Sequence, residues 1–379
     1  MVNTKLGELS RLGQSIWLDN ISRSMIESGR LKEMVGKGLR GLTSNPSIFD
    51  KAISLSGDYD KKISGLKSKG LSGVEIYDEL SMADVRDAAD IFLPIYDETR
   101  GFDGYVSLEV DPGLAQDIEN SVAEGKRLFK RVSRPNLMIK VPGTDAGVEV
   151  VERLISEGIN VNATLIFSID QYTKVSSAFL KGMANLVRSK PDLVNKVHSV
   201  ASVFVSRVDT HIDQRLKQLL AAEKTAQIKD KLKSLLGAAA VANSRLILKK
   251  HTDIFSSQDF RSLEDKGASI QRLVWASTST KNPEYSDIKY VSELMYKNTV
   301  NTLPEETLAA FLDHGEISKN LSVDDAGSLG IIRDLREFGI DIEEVCSNLL
   351  NQGIVSFEKS FRSLMNSIDS KTQSLLAKA

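Results

Sequence analysis

Short apolar runs alternate with longer amphipathic stretches along most of the chain. Runs at 15–19, 38–44, 104–110, 136–141, 159–166, 198–204, 271–276 and around 295–300 have strand length, and most are apolar on both faces. Helical spacing fills the intervals. After Thr144, the residues Val148, Val151, Leu154 and Ile155 share one face, and Gly158 supplies the stop. Ser168 and Gln171 have the spacing of a capping box, beyond which Tyr172, Val175, Phe179 and Met183 recur. Eight buried strands alternating with helices predict an α/β fold, a parallel (β/α)8 TIM barrel, as a single domain over 1–379. Two helical regions exceed the minimal barrel, a lysine-rich insertion at about 209–250 and C-terminal helices at about 322–379. In the second, Ile342, Val345, Cys346 and Leu349 form one stripe, and Phe357, Phe361, Leu364 and Ile368 another. This predicts helices packed on the barrel's outside, with Cys346 a core thiol.

Several strands break the apolar pattern. Lys140 shares a face with Met138 in the fourth, which makes it either a surface snorkeller or a buried amine. A central strand covered on both faces favours the amine, and a desolvated amine is what condensation with a carbonyl requires. Asn160, Asn162 and Thr164 recur at period two in the fifth strand, where asparagine is a poor former and needs partners. Glu109 shares a face with Ser107, Asp19 closes the first strand, and Thr43-Ser-Asn45 closes the second. Asp19 and Asn45 equally suit helix N-caps or turns. Together, five successive strands bring polar side chains to their C-terminal halves, which in a barrel is the catalytic mouth. An amine, two carboxylates and neutral donors fit imine chemistry on a polyhydroxylated carbonyl compound.

Composition narrows the alternatives. The chain has 379 residues, 49 basic and 51 acidic side chains and a formal net charge of −2, which argues against a protein built to hold nucleic acid or an anionic membrane. No stretch approaches the roughly 20 apolar residues of a membrane span, and Met1 leads into no apolar signal region. The single cysteine, Cys346, forms no internal disulfide and fits a reducing, cytoplasmic setting. Four scattered histidines offer no metal-ligand spacing. Neither GxGxxG nor GxxxxGK[ST] follows a strand, so nucleotide folds lack their fingerprint.

The polar segments resemble a known set. LTSNPSIF (42–49), VSLEVD (106–111), MIKVPGT (138–144), GINVNATLIFS (158–168), VFVSRVD (203–209) and NTVNTLP (298–304) are similar, in order, to the signature segments of transaldolase in its longer bacterial-type branch. The resemblance implies a cofactor-free, metal-free barrel of the class I aldolase type, acting as a monomer or homodimer. It would transfer dihydroxyacetone from sedoheptulose 7-phosphate to glyceraldehyde 3-phosphate. It further implies that Lys140 is the Schiff-base lysine and Asp19 the acid/base at the donor's C4 hydroxyl. Glu109 and Thr164 would hold a catalytic water, and Asn45 and Asn162 the dihydroxyacetone hydroxyls. Ser202, Arg207 and Ser277 would bind phosphate. Phe204 occupies a position where fructose-6-phosphate-type aldolases carry tyrosine. Shorter members place an arginine shortly after an Ala-Ser pair; here ASTSTKNP (276–283) offers Lys281 as the second cation. Two rivals remain, an aldolase releasing free dihydroxyacetone and a silent sugar-phosphate-binding barrel.

Overall fold

A computed structural model describes residues 4–318 and 325–376. Eight strands, β1 (Gln14–Leu18), β2 (Gly41–Thr43), β3 (Tyr105–Glu109), β4 (Leu137–Pro142), β5 (Val161–Ile166), β6 (Ser199–Phe204), β7 (Arg272–Ala276) and β8 (Thr299–Leu303), close into a barrel in sequence order. Every pairing is parallel. The fold class read from the sequence is thus the one observed. Among the described residues no helix is long and apolar enough to cross a membrane.

Alternation sorts each strand into two faces. Outward residues such as Ile139, Val141, Val161 and Ala163 join the large core beneath the helices. Inward, Trp17, Tyr105, Met138, Val200, Val274 and Val300 fill the lower barrel as a separate apolar cluster. Gly41 is required there, because a Cβ at that position would lie 2.6 Å from the Trp17 ring. The inward side chains of the next layer up are polar.

Local chemistry sets the strand-to-helix turns at the mouth. Thr144 caps the helix Asp145–Ser156, its hydroxyl accepting from Gly147 N at 2.9 Å. Ser168 caps Ile169–Ser189 in the same way, at 3.1 Å to Gln171 N. The reciprocal half of the expected capping box is absent. The Gln171 amide instead accepts from Phe167 N and donates to Gly143 O and Leu165 O, tying the β4 and β5 ends together. Asn45 is a true N-cap, accepting from Ile48 N at 3.1 Å, whereas the cap after β1 is Ser22 and not Asp19.

Two strand boundaries differ from the sequence reading. The last strand is 299–303, not around 295–300. Leu294, Met295 and Tyr296 are apolar because they pack beneath the barrel, and Leu294 O accepts from Gln14 Nε2 at 2.7 Å. The second strand is confined to 41–43, since Gly38 takes a left-handed φ of 110°. The chain between β6 and β7 forms four helices, Ser206–Ala222, Ala226–Leu235, Ala239–Phe255 and Gln258–Glu264.

The C-terminal region departs most. Of residues 322–379, the stretches 322–324 and 377–379 lie outside the described residues. Asp325–Glu337 packs on Ala239–Phe255, outside the barrel. The helix Ile342–Leu376, however, crosses the mouth, touching β5 and the helices Pro46–Leu55, Gly73–Glu98 and Ser206–Ala222. Polar links hold it there: Ser47 to Ser360 at 2.7 Å, Ser367 to Asp50 at 2.9 Å, and Lys371 to Asp60 at 2.7 Å. Cys346 is 1 % exposed, donates to Phe167 O at 3.3 Å and has its pKa raised by burial, so it is an inert core thiol.

Candidate active site

Register brings the polar side chains together. Lys140 on β4 pairs with Glu109 on β3 and with Asn162 on β5. These residues point into the barrel directly above the apolar layer, at the C-terminal end of the strands. Gly147 keeps the following helix close: a Cβ there would meet Pro142 O at 1.8 Å.

Lys140 is 4 % exposed, which rules out snorkelling. Its Nζ donates to Ser44 O at 3.2 Å and lies 3.3 Å from Glu109 Oε2. Burial pushes the Glu109 carboxyl up to about 7, against the pull of the Lys140 charge. Glu109 can therefore give or take a proton near neutrality. Apart from the Lys140 ammonium, Glu109 Oε2 has no partner among the described residues, and the buried Thr164 Oγ1 has none. Asp19 accepts from Thr43 Oγ1 at 2.7 Å. Burial raises its pKa, opposed by Lys140 and by that hydrogen bond.

Asn162 is fully buried, donating to Ser107 Oγ at 3.0 Å and accepting from Ser202 Oγ at 2.7 Å. Ser202 is thus committed to the amide level of the site. Asn160, on the same face, serves the barrel instead: its amide donates to Pro135 O and Leu137 O and accepts from His198 N.

A cavity of about 280 Å³ is walled by Asp19, Asn45, Lys140, Thr164, Ser202 and Phe204, with Arg207, Ser277 and Lys281 toward its rim. Glu109 and Asn162 lie behind this wall. A wider depression of about 760 Å³ shares Asp19, Lys51 and Lys281 with it and opens toward Glu305 and Asp287. Arg207 sits 5.5 Å from the Phe204 ring centre, and its guanidinium has no carboxylate or hydrogen-bond partner among the described residues. Burial lowers its pKa, yet a guanidinium stays charged. Lys281 is exposed and, among the described residues, donates only to Ser279 Oγ, at 2.6 Å. Ser277 takes a left-handed φ of 52° and holds its hydroxyl 3.2 Å from Ser206 Oγ. A guanidinium with no carboxylate partner among the described residues, an exposed ammonium and hydroxyls at one rim suit a phosphate.

Two wall residues escaped the sequence reading. Lys51 faces the cavity beside Ser47 and Ile48, at the three- and four-residue spacing of one helix face after the Asn45 cap. Phe357 comes from the crossing helix, where its stripe spelled only "buried". No cluster of three or more His, Cys, Asp or Glu side chains placed to hold a metal occurs among the described residues.

Comparison with known proteins points the same way. The profile of a family described as Transaldolase/Fructose-6-phosphate aldolase matches residues 16–368. The chain is 44% identical to a protein named Transaldolase from Trichodesmium erythraeum, over 99% of each chain. It is 41% identical to Transaldolase 2 of Nostoc sp., again over 99% of each, and 44% identical to Transaldolase of Saccharopolyspora erythraea over 97% of each.

Proposed function

The chain belongs to the transaldolase/fructose-6-phosphate aldolase family and its activity is that of a transaldolase, a transferase; we propose that it works through a Schiff base on Lys140. The observation carrying this reading is the buried Lys140 amine, 3.3 Å from a carboxyl that titrates near 7, below a rim that carries Arg207 and Lys281. The substrates we propose are sedoheptulose 7-phosphate as donor and glyceraldehyde 3-phosphate as acceptor, in the non-oxidative pentose phosphate pathway. A reducing cytoplasmic setting fits the lone buried thiol.

Neutral Lys140 attacks the donor's C2 carbonyl, and Glu109 takes and returns the proton as the carbinolamine loses water. The unpaired Thr164 hydroxyl and Glu109 Oε2 can hold that water between them. Asp19 removes the proton of the C4 hydroxyl, the C3–C4 bond breaks, and erythrose 4-phosphate leaves. The electron pair passes into the protonated imine, giving an enamine. The acceptor's aldehyde carbon then bonds to the enamine carbon, Asp19 returns its proton to the new hydroxyl, and water frees fructose 6-phosphate from Lys140. Asn45 and Asn162 orient the dihydroxyacetone hydroxyls. Ser202, committed to Asn162, fits this end of the substrate better than the phosphate end. Arg207, Ser277 and Lys281 take the phosphate.

Phe204 favours transfer over release. Its ring, packed on Phe167 with centres 5.4 Å apart, has no hydroxyl to orient a water at the enamine. A coupled assay with sedoheptulose 7-phosphate, with and without glyceraldehyde 3-phosphate, tests the reading. Sustained erythrose 4-phosphate formation should require acceptor. Equal turnover without acceptor, with free dihydroxyacetone accumulating, would make the enzyme an aldolase.

A further inference from the structure

The helix Ile342–Leu376 does more than cover the mouth. Where it passes β5, Gly353 lies against the Leu165 side chain so closely that a Cβ would meet it at 3.0 Å. Leu165 itself takes a left-handed φ of 57° at the register shift between β5 and β6. One turn further along, Phe357 is 6 % exposed, forms part of the cavity wall and stands with its ring centre 5.6 Å from Lys140 Nζ. Farther along, Phe361 stacks edge-on against Tyr77, itself edge-on to Phe49 of the helix after β2. Ser360 is hydrogen-bonded to Ser47 on that same helix. The helix that carries the ring over Nζ is therefore anchored at three points around Phe357: Gly353 on Leu165, Ser360 on Ser47 and Phe361 on Tyr77.

We propose that Phe357 is a positioning residue that caps the Lys140 nitrogen, keeping water from the enamine while it waits for acceptor. This rests on the Schiff-base reading above. Release of free dihydroxyacetone consumes one water: a proton adds to the enamine carbon, hydroxide to the former carbonyl carbon, and the Nζ–C bond breaks with a proton returned to nitrogen. An apolar ring offers no donor for the first step and no acceptor to orient water for the second. It also suits the charged forms of the nitrogen, since a ring face attracts a cation within about 6 Å. Phe357 and Phe204 are then two aromatic walls of one cavity, one from the crossing helix and one from a strand.

The test measures free dihydroxyacetone released per erythrose 4-phosphate, with sedoheptulose 7-phosphate and no acceptor, in wild type, Phe357→Ala and Phe357→Leu. Borohydride labelling of Lys140 is followed in parallel. Phe357→Ala should keep the Lys140 label and the donor KM while raising steady-state release by about tenfold or more. Phe357→Leu, apolar and nearly filling, should stay within about twofold of wild type. If Phe357→Ala does not fold, Phe357→Gln takes its place, because its polar end brings water with it, and release must again rise. Unchanged release in a folded, labelled Ala or Gln variant overturns the proposal and leaves Phe357 a packing residue. Absence of label in the wild type overturns instead the Schiff-base reading, and this proposal with it.

Discussion

Both ends of the barrel interior hold a buried ion pair, and the two are built to opposite purposes. At the bottom, Arg272 and Asp103 lie 3.0 Å apart, each about 5 % exposed. Arg272 also donates to Phe102 O, Ser15 Oγ and Thr299 O, while Asp103 accepts from Ser15 Oγ and Trp17 Nε1. At the top, Lys140 and Glu109 are as deeply buried, 3.3 Å apart. There, among the described residues, the lysine has one further hydrogen bond, to Ser44 O, and the Glu109 oxygen facing it has no other partner. Burial is the same and satisfaction is not. Of the lower pair only Arg272 Nε lacks a partner among the described residues; a pair bound by so many hydrogen bonds fixes structure, whereas a sparsely bonded pair bordering a cavity is available to a substrate.

Exchanging the partners by mutation should separate stability from activity. Lys140→Met keeps length and packing but cannot form an imine, so transfer should fall by about 10³-fold or more with the fold intact, checked by the coupled assay and circular dichroism. Arg272→Met should do the reverse. It strands a buried carboxylate, costing about 3–5 kcal/mol in denaturant unfolding, while the folded fraction retains normal kcat. Loss of activity without loss of stability in Arg272→Met would break the contrast.

Titration sharpens it. The folded-state pKa of Glu109 is raised from 4.5 to about 7, so the fold favours its protonated form. That contribution is complete below pH 4.5 and is lost as pH rises through about 7. Relative to Glu109→Gln, wild type should therefore lose about 3 kcal/mol of stability across this window. Unfolding titrations that run parallel would place Glu109 in a polar, hydrated setting. The smallest effects belong to the rim. Arg207→Ala should weaken phosphorylated substrates by roughly 1.5–3 kcal/mol and leave non-phosphorylated ketoses nearly unchanged. The exposed Lys281→Ala should show the same selectivity at about 0.5–1 kcal/mol. Equal losses for both substrate classes would make either residue structural.

The sequence reveals the top of the barrel more readily than the elements around it. Lysine, glutamate and paired asparagines inside strands violate the apolar pattern, and the violation marks the mouth. The bottom network went unread, because Arg272 and Asp103 sit at a strand's start and in a loop, where charge is unremarked. Periodicity located the stripe of Phe357 but not its partner, since an amphipathic face says that something covers it and not what. Met295 and Tyr296 misplaced the last strand for a related reason: apolar residues packing beneath a barrel look like the strand beside them. Lys51 had only its helical spacing from Ser47 and Ile48 to offer.

The central claim is that the Lys140 nitrogen, among the 49 lysine and arginine side chains of the chain, bonds covalently to substrate. Incubation with fructose 6-phosphate and borohydride, followed by peptide mapping by mass spectrometry, reads this directly. A reduced dihydroxyacetone adduct on the peptide carrying Lys140, absent in Lys140→Met, is the expected result. An adduct on another lysine, or none in an enzyme that still transfers, would contradict the account.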